Sequence, residues 1–381
     1  MAKRSVGKPR FYADYPSYLK ALGYYHGANV AGDISNEEIA HKVWNMNPAQ
    51  LTEYEINPDE EGLTFRFHID PATGDYPIIE THNIQLTQLL FQTNYAGLLG
   101  HNLGTLKDSA NNTIKSLSCY FIGSTEYLAG QDNPVNTNSH QRNPIEIVNY
   151  TVGGDMGIPE YDGFSLWEIT NFTDDNPVKY ARMNFSIYSQ DDHQGLGIPF
   201  GEDKIARIGA FTFGRYFEPE FAFDIQATLS TSYEGIKSQT TIGGNTITNI
   251  NHLGQPAWGD LPAWTLGKQE GHDYKIGGTM GRRSWNVSLS FMTDDNVFSK
   301  AGNENKFFTW DQELGDLGYT FDSSLASFFR LTLNGKLPFI FCPDSSADDL
   351  EFALCRISNQ PTFKQVANNM FSTSLTIVET Y

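Results

Sequence analysis

The chain has 381 residues, which is enough for two or three domains of ordinary size. Its formal net charge of −19 argues against nucleic acid as a partner, because binding a phosphate backbone requires a basic face. No run of about 20 apolar residues predicts a membrane span, and no apolar core of a secretory signal follows the basic residues near the N-terminus.

Residues 1–60 are polar and interrupted by prolines, which predicts an extended N-terminal arm. Its aromatic side chains are too dispersed to form a core of their own, so we expect the arm to dock on a neighbouring molecule or on the far domain. These assembly anchors are Phe11, Tyr12, Tyr15 and Tyr18. Within the arm, residues 35–46 begin with a serine and two glutamates and predict a short helix.

The remainder predicts an all-β protein, because short runs of alternating apolar and polar residues recur between turn clusters. The predicted strands are 62–70, 180–189, 207–217, 284–293, 338–343 and 374–381. In the fourth of these, alternation places Trp285, Val287, Leu289 and Phe291 on the buried face. A helix is predicted over 322–335, with Ser323 or Ser324 as N-cap and Gly335 as the stop.

Composition shifts divide these strands into two predicted β-sandwich units. We predict one unit at 61–225, a bridge rich in Gly, Thr and Asn at 226–267, and a second unit with a short helix at 268–381. Cys119, Cys342 and Cys355 are sparse and odd in number, which is typical of reduced thiols. A link between Cys342 and Cys355 stays open at this point.

No motif for catalysis emerges from the chain. It has neither a G-x-S-x-G nucleophile elbow nor a G-x-x-x-x-G-K-[ST] phosphate loop, and its nine histidines lack zinc-ligand spacing. The acidic stretches 70–75, 173–177 and 293–296 lack the spacing of a calcium loop and predict solvated turns. We therefore expect a protein without catalytic residues, metal or cofactor.

The segment 94–105, NYAGLLGHNLGT, is the most distinctive stretch. Gly100 and Gly104 are suited to a sharp turn, in which His101 and Asn102 would satisfy loose backbone groups. A ligand-contacting loop is the alternative. A catalytic histidine would need an orienting acid and a nucleophile, and neither is identifiable nearby.

This segment, followed by PVKYARMNFSIYS (177–189) and IARIGAFTFGRYFEP (205–219), resembles the galactose-binding-like (discoidin-like) jelly rolls of virion structural proteins in tailed bacteriophages. The remaining chain, to residue 381, is similar to phage tail-tip and tail-tube-related proteins, so that the resemblance spans about 80–381. The positions that carry the jelly-roll pattern are Gly100, His101, Asn102, Tyr180, Arg182, Ile208, Gly209 and Gly214.

The resemblance implies a non-enzymatic tail or baseplate protein, of the distal-tail or adaptor kind, made in the host bacterial cytoplasm and located in the virion. Its expected partners are other virion proteins and further copies of itself in a ring, with no nucleic acid and no membrane insertion. Host-surface glycan is a further candidate partner, through Tyr95, His101, Asn102 and Arg182. The alternatives are a carbohydrate-binding fibre or capsid-decoration protein, and a glycan-degrading hydrolase.

Overall fold

The computed structural model describes residues 7–22, 28–31, 42–56, 62–69, 93–101, 116–124, 151–152, 155–156, 164–168, 180–188, 204–233, 236–250, 257–258, 261–262, 281–297, 324–346 and 352–380. Strands make up 52% of this part of the chain, and every strand pair in it is antiparallel. The all-β fold class is therefore confirmed.

The strands, in chain order, are β1 (Arg10–Asp14), β2 (Ala28–Ala31), β3 (Thr52–Ile56), β4 (Gly62–Ile69), β5 (Tyr95–His101), β6 (Ser116–Ser124), β7 (Thr151–Val152), β8 (Asp155–Met156), β9 (Phe164–Glu168), β10 (Tyr180–Tyr188), β11 (Lys204–Phe217), β12 (Thr228–Ser232), β13 (Ile236–Thr240), β14 (Thr246–Ile250), β15 (Ala257–Trp258), β16 (Leu261–Pro262), β17 (Arg282–Met292), β18 (Phe339–Cys342), β19 (Ala353–Ile357), β20 (Lys364–Ala367) and β21 (Met370–Glu379). Two seven-residue helices accompany them, α1 (Tyr15–Ala21) and α2 (Leu325–Leu331). Shorter helical turns lie at Lys42–Trp44 and Asp294–Val297. All six predicted strands are confirmed, with ends shifted by a few residues.

An eleven-stranded sheet dominates the structure. Its strands follow the order β12-β17-β21-β19-β18-β1-β11-β5-β9, with β20 beside β21 and β3 beside β11. A four-stranded sheet has the order β2-β4-β10-β6, and three two-stranded ribbons are formed by β7–β8, β13–β14 and β15–β16.

The N-terminal strand β1 lies in the middle of the large sheet. Phe11 is in register with Phe217 of β11 on one side and with Phe341 of β18 on the other. The sheet thus contains strands from the predicted arm, from both predicted sandwich units and, through β12, from the predicted bridge. Strand pairing therefore runs across the predicted domain boundaries.

The four aromatic residues of the predicted assembly arm belong to the core of this chain. They are at most 7% exposed, and they pack against residues from both ends of the sequence. These residues are Phe11, Tyr12, Tyr15 and Tyr18. Of the two docking sites expected for the arm, the far part of the chain is the one observed. The expectation of anchors for a neighbouring molecule is corrected, because β1 and α1 are built into the core and these side chains are not available to a neighbour.

Helix α2 confirms the predicted helix and its N-cap, but the helix ends at Leu331 with Thr332 as C-cap, before the predicted stop at Gly335. The N-cap is Ser324, whose hydroxyl accepts a hydrogen bond from the backbone N–H of Ser327 at 3.3 Å. The chain leaves the helix through residues with positive φ and ends that run at Gly335, where φ is +75°. A Cβ at Gly335 would lie 2.5 Å from the side chain of Ile357, so glycine is required there for space as well as for conformation.

The predicted inward face of β17 is correct for Trp285, Val287 and Leu289, which are buried, and wrong for Phe291, which is 57% exposed. The pairing of β17 with β21 shifts register between Leu289 and Met292. Such a shift interrupts the alternation of the strand, so that Met292 turns inward in place of Phe291.

Two further predictions concern residues 35–46 and the cysteines. The helix predicted over 35–46 lies outside the described residues except for the short turn at Lys42–Trp44. Cys342 and Cys355 are buried free thiols, and the register of β18 and β19 places Cys355 opposite Phe339.

Candidate functional site

The stretch around Gly100 lies at the end of β5, within the sheet. Gly100 has φ +65°, the left-handed conformation that its sequence context predicts. A Cβ at this position would lie 3.1 Å from the backbone oxygen of Pro48, so the loop before β3 packs directly over the glycine. Asn102 and Gly104 lie outside the described residues.

His101 is the last residue of β5 and is in register with Ile208 of β11. It is 1% exposed, and burial lowers the pKa of its imidazole to about 3. The side chain is therefore neutral at physiological pH and enclosed. The expectation of a turn at His101 is corrected, because His101 is part of a strand. The burial of its side chain agrees with the structural interpretation of this residue.

Tyr95 lies at the opposite end of the same strand, about 20 Å from His101 at the usual rise per residue. Its ring is fully buried and meets the ring of Tyr12 edge-on at a centroid distance of 5.1 Å. A sugar-stacking platform must be open to solvent, and this ring is not.

Arg182, the fourth candidate for carbohydrate contact, belongs to β10 of the four-stranded sheet, where its backbone is in register with His68 and Ile122. Tyr95 and His101 belong to the eleven-stranded sheet. The described candidates therefore lie on two different sheets, and the two in the large sheet lie at opposite ends of β5.

A buried polar network joins the start of the chain to the centre of the large sheet. The carboxylate of Asp14 caps α1 by accepting the N–H of Ser17 at 2.8 Å, and it accepts the hydroxyl of Thr212 at 2.8 Å. Because Thr212 has a single hydroxyl proton, Tyr95 is the donor in their contact of 3.0 Å. This chain of hydrogen bonds fixes β1, α1, β11 and β5 relative to one another.

Burial dominates the electrostatics of this network. Desolvation raises the pKa of Asp14 to about 6, although hydrogen bonds from Ser17 and Thr212 oppose the shift. Desolvation also lowers the pKa of Lys20, which donates a hydrogen bond to Asn45. Asp14 is enclosed by the core, with 2% of its surface exposed, so this carboxyl is a structural group and not a general acid within reach of a substrate.

A second buried charge lies near the end of the chain. The side chain of Glu379 accepts hydrogen bonds from the Arg283 guanidinium at 2.6 and 2.8 Å and from the Arg283 backbone N–H at 2.6 Å. Burial raises the pKa of Glu379 and outweighs the opposing effect of Arg283. The guanidinium also lies over the ring of Trp285, 5.1 Å from its centroid. This group joins β17 to β21.

The surface differs sharply from this interior at the β13–β14 ribbon. We call residues 236–250 the exposed ribbon. Its turn is closed by hydrogen bonds from the Thr241 N–H to the Asn245 oxygen at 2.8 Å and from the Gly244 N–H to the Thr241 oxygen at 2.9 Å. Gly244 has φ +82°, as is usual for a three-residue hairpin loop with a bulge.

The exposed ribbon and the strand before it are open to solvent. Every described residue from Thr228 to Asn249 whose side chain is described is exposed. Ile242, at the tip of the ribbon, is fully exposed, and Ile247 on β14 is 62% exposed. A two-stranded hairpin whose side chains are exposed has only marginal stability of its own in water.

A second exposed apolar feature lies beside β17. Phe221 and Phe291 are 48% and 57% exposed, and their rings meet at a centroid distance of 6.1 Å. They line a shallow surface depression together with Leu289, Met292 and Leu325. Its lining is mostly apolar, and Glu220 is the charged residue among the lining residues.

Sequence reasoning missed the Asp14 network and the exposed ribbon, yet each has a signal. Asp14 precedes Tyr-Pro-Ser, which is an N-cap followed by proline in the first turn of a helix. Gly243 and Gly244 stand between two runs that alternate Ile or Thr with polar residues, which predicts a hairpin within the bridge. The Arg283–Glu379 pair has no such signal, because its members are far apart in sequence.

Within the described part of the chain, no three His, Cys, Asp or Glu side chains come together as a metal site, and no helix has the length and apolar character needed to cross a bilayer. Comparison with known proteins finds no family model, no curated protein and no solved structure that matches the chain.

Proposed function

We propose that this chain is a non-enzymatic structural component of a bacteriophage virion, most consistent with a tail or baseplate protein of the distal-tail or adaptor kind. The virion assignment rests on the sequence resemblance described above. The single observation that carries the assembly role is the run of exposed strands from Thr228 to Asn249. Strands that expose both faces and an edge are suited to pairing with another chain.

The interior supports the same role. The buried charges at Asp14 and Glu379 each make two or more hydrogen bonds within the chain, and they tie strands together. Tyr95 and His101 are enclosed. Among the described residues, these buried polar groups therefore stabilise the packing of the strands, which suits a structural protein.

The same proposal includes the finer fold. We infer a galactose-binding-like jelly roll in residues 61–225 and a tail-protein-like β-sandwich in residues 268–381. The antiparallel pairing throughout the described strands supports the sandwich class, since jelly rolls and sandwiches are built from antiparallel sheets. Because the eleven-stranded sheet joins strands of both segments through β1, the two units of this proposal share one sheet.

Deletion of the gene from a phage genome that encodes it tests the proposed function. Electron microscopy should show filled heads that lack tails or tail tips, and the wild-type gene supplied in trans should restore complete particles. Complete particles that fail to adsorb to the host would contradict the structural role and favour a glycan-binding fibre. Complete, adsorbing particles that fail to clear surface polysaccharide would favour a hydrolase.

A further inference from the structure

The composition of the exposed ribbon differs from that of the rest of the chain. Charged residues make up 19% of the whole sequence, whereas between Ile225 and Ile250 the only charged residues are Glu234 and Lys237. Depletion of charge is typical of the central part of a protein–protein interface. Ordinary solvent-exposed strands are instead protected by charged side chains.

The outer edge of β14 is the less protected edge of the ribbon. Strand β13 carries Lys237, and a lysine on an edge strand hinders pairing with another chain. Strand β14 has the sequence TITNI, without charge, proline or bulge. Its residues Thr246, Ile247 and Thr248 are β-branched, which favours an extended strand.

The hydrogen-bond pattern identifies the backbone groups that point outward from this edge of the described ribbon. Thr241 and Asn245 form the hydrogen-bonded pair that closes the turn. Because hydrogen-bonded and non-hydrogen-bonded pairs alternate along an antiparallel ladder, the next pair, Thr240 and Thr246, directs its N–H and C=O groups outward. The same applies to the pair of Ser238 and Thr248.

Charge also determines which partner fits. The chain carries a net charge of −19, so two copies repel one another over most of their surface. The ribbon has one lysine and no acidic residue, so it is a surface on which two acidic copies can approach at low electrostatic cost. Nucleic acid or an anionic membrane would require a basic patch, which this ribbon lacks.

We propose that two copies of this chain associate through the outer edges of their β14 strands, which pair antiparallel about a two-fold axis to form a four-stranded sheet. An antiparallel pair of identical strands is self-complementary, as a two-fold interface requires. The exposed isoleucines of the two ribbons then lie on the faces of the new sheet and are available to pack there. This inference deepens the proposed function and depends on it only for the biological purpose of the contact.

Sedimentation velocity of the full chain, over a wide range of concentrations, tests the proposal with three variants. The wild type should form a species of twice 42.7 kDa. Thr246→Pro removes an outward N–H in both copies and should weaken association at least about tenfold, since every substitution acts twice in a two-fold interface. Thr246→Ala, the matched control, keeps this N–H and should sediment as the wild type.

Thr248→Lys keeps the whole backbone and places like charges close together across the axis, so it should also give monomers at low ionic strength. A wild type that stays monomeric at every concentration would overturn the proposal, as would a dimer that persists in Thr246→Pro or in Thr248→Lys. Neither of these results would affect the gene-deletion test. Particles that assemble normally without the gene would instead refute the proposed function and leave the dimer standing.

Discussion

Replacement of Phe11 by alanine tests whether the N-terminal strand is part of the central core. The ring is fully buried, and four other rings lie within 6.4 Å of its centroid: Phe328 at 4.9 Å, Phe341 at 5.3 Å, Phe339 at 6.1 Å and Phe223 at 6.4 Å. Removal of a buried phenylalanine costs about 3–5 kcal/mol. We expect the upper half of this range, because three of these neighbours belong to strands or to α2 and cannot collapse into the cavity.

The free energy of unfolding is measured from urea titrations followed by tryptophan fluorescence, for which the chain supplies six tryptophans. Phe291→Ala is the matched control. Its ring is 57% exposed, so it should cost less than about 1 kcal/mol. A loss at Phe11→Ala no larger than that of this control would refute the assignment of β1 to the core.

Three further predictions concern buried groups. Because burial raises the folded-state pKa of Asp14 from its ordinary value of 3.8 to about 6, its ionisation opposes folding. The stability of the wild type relative to Asp14→Asn should therefore fall by about 3 kcal/mol in total as pH rises from about 3 to about 7, and level off above that range. Urea midpoints of the two proteins that track each other over this range would contradict the prediction. Gly100→Val should lower the free energy of unfolding in urea by about 2 kcal/mol or more, because φ at Gly100 is +65°. Gly243→Val is the control and should be nearly neutral, because a Cβ at Gly243 would lie in open space. Equal losses in the two variants would argue against backbone strain at Gly100. Arg283→Met should lower the free energy of unfolding by about 3–5 kcal/mol, because it removes the guanidinium that pairs with the buried Glu379 carboxylate. Adding Glu379→Leu should recover most of this loss. A double variant that is no more stable than the single variant would contradict the pairing.

The sequence predicts well those strands that have one buried face, and it predicts the central strand β1 poorly. Alternation locates β4, β10 and β17, because their period of two is visible in the residues. Strand β1 has no such period, since residues Phe11 to Asp14 are buried on both faces and the strand is only five residues long. Its place in the sheet depends on pairing with β11 and β18, which lie more than 190 residues further along the chain.

For the candidate site, too, the sequence predicts local conformation better than burial. The left-handed conformation of Gly100 is a local property, and the sequence predicts it correctly. The burial of Tyr95 and His101 depends on side chains brought in from other strands, so no pattern within 94–105 distinguishes an enclosed residue from a surface contact. The exposed ribbon was included in a predicted bridge because threonine, asparagine and glycine are typical of linkers as well as of exposed strands.

Quantitative mass spectrometry of purified phage particles that encode this chain tests the structural role most directly. The account predicts that the chain is present in every intact particle, in a fixed number of copies relative to the other tail proteins, and that it remains after washing at high salt. Its absence from purified particles, or a copy number that falls towards zero on washing, would contradict the account.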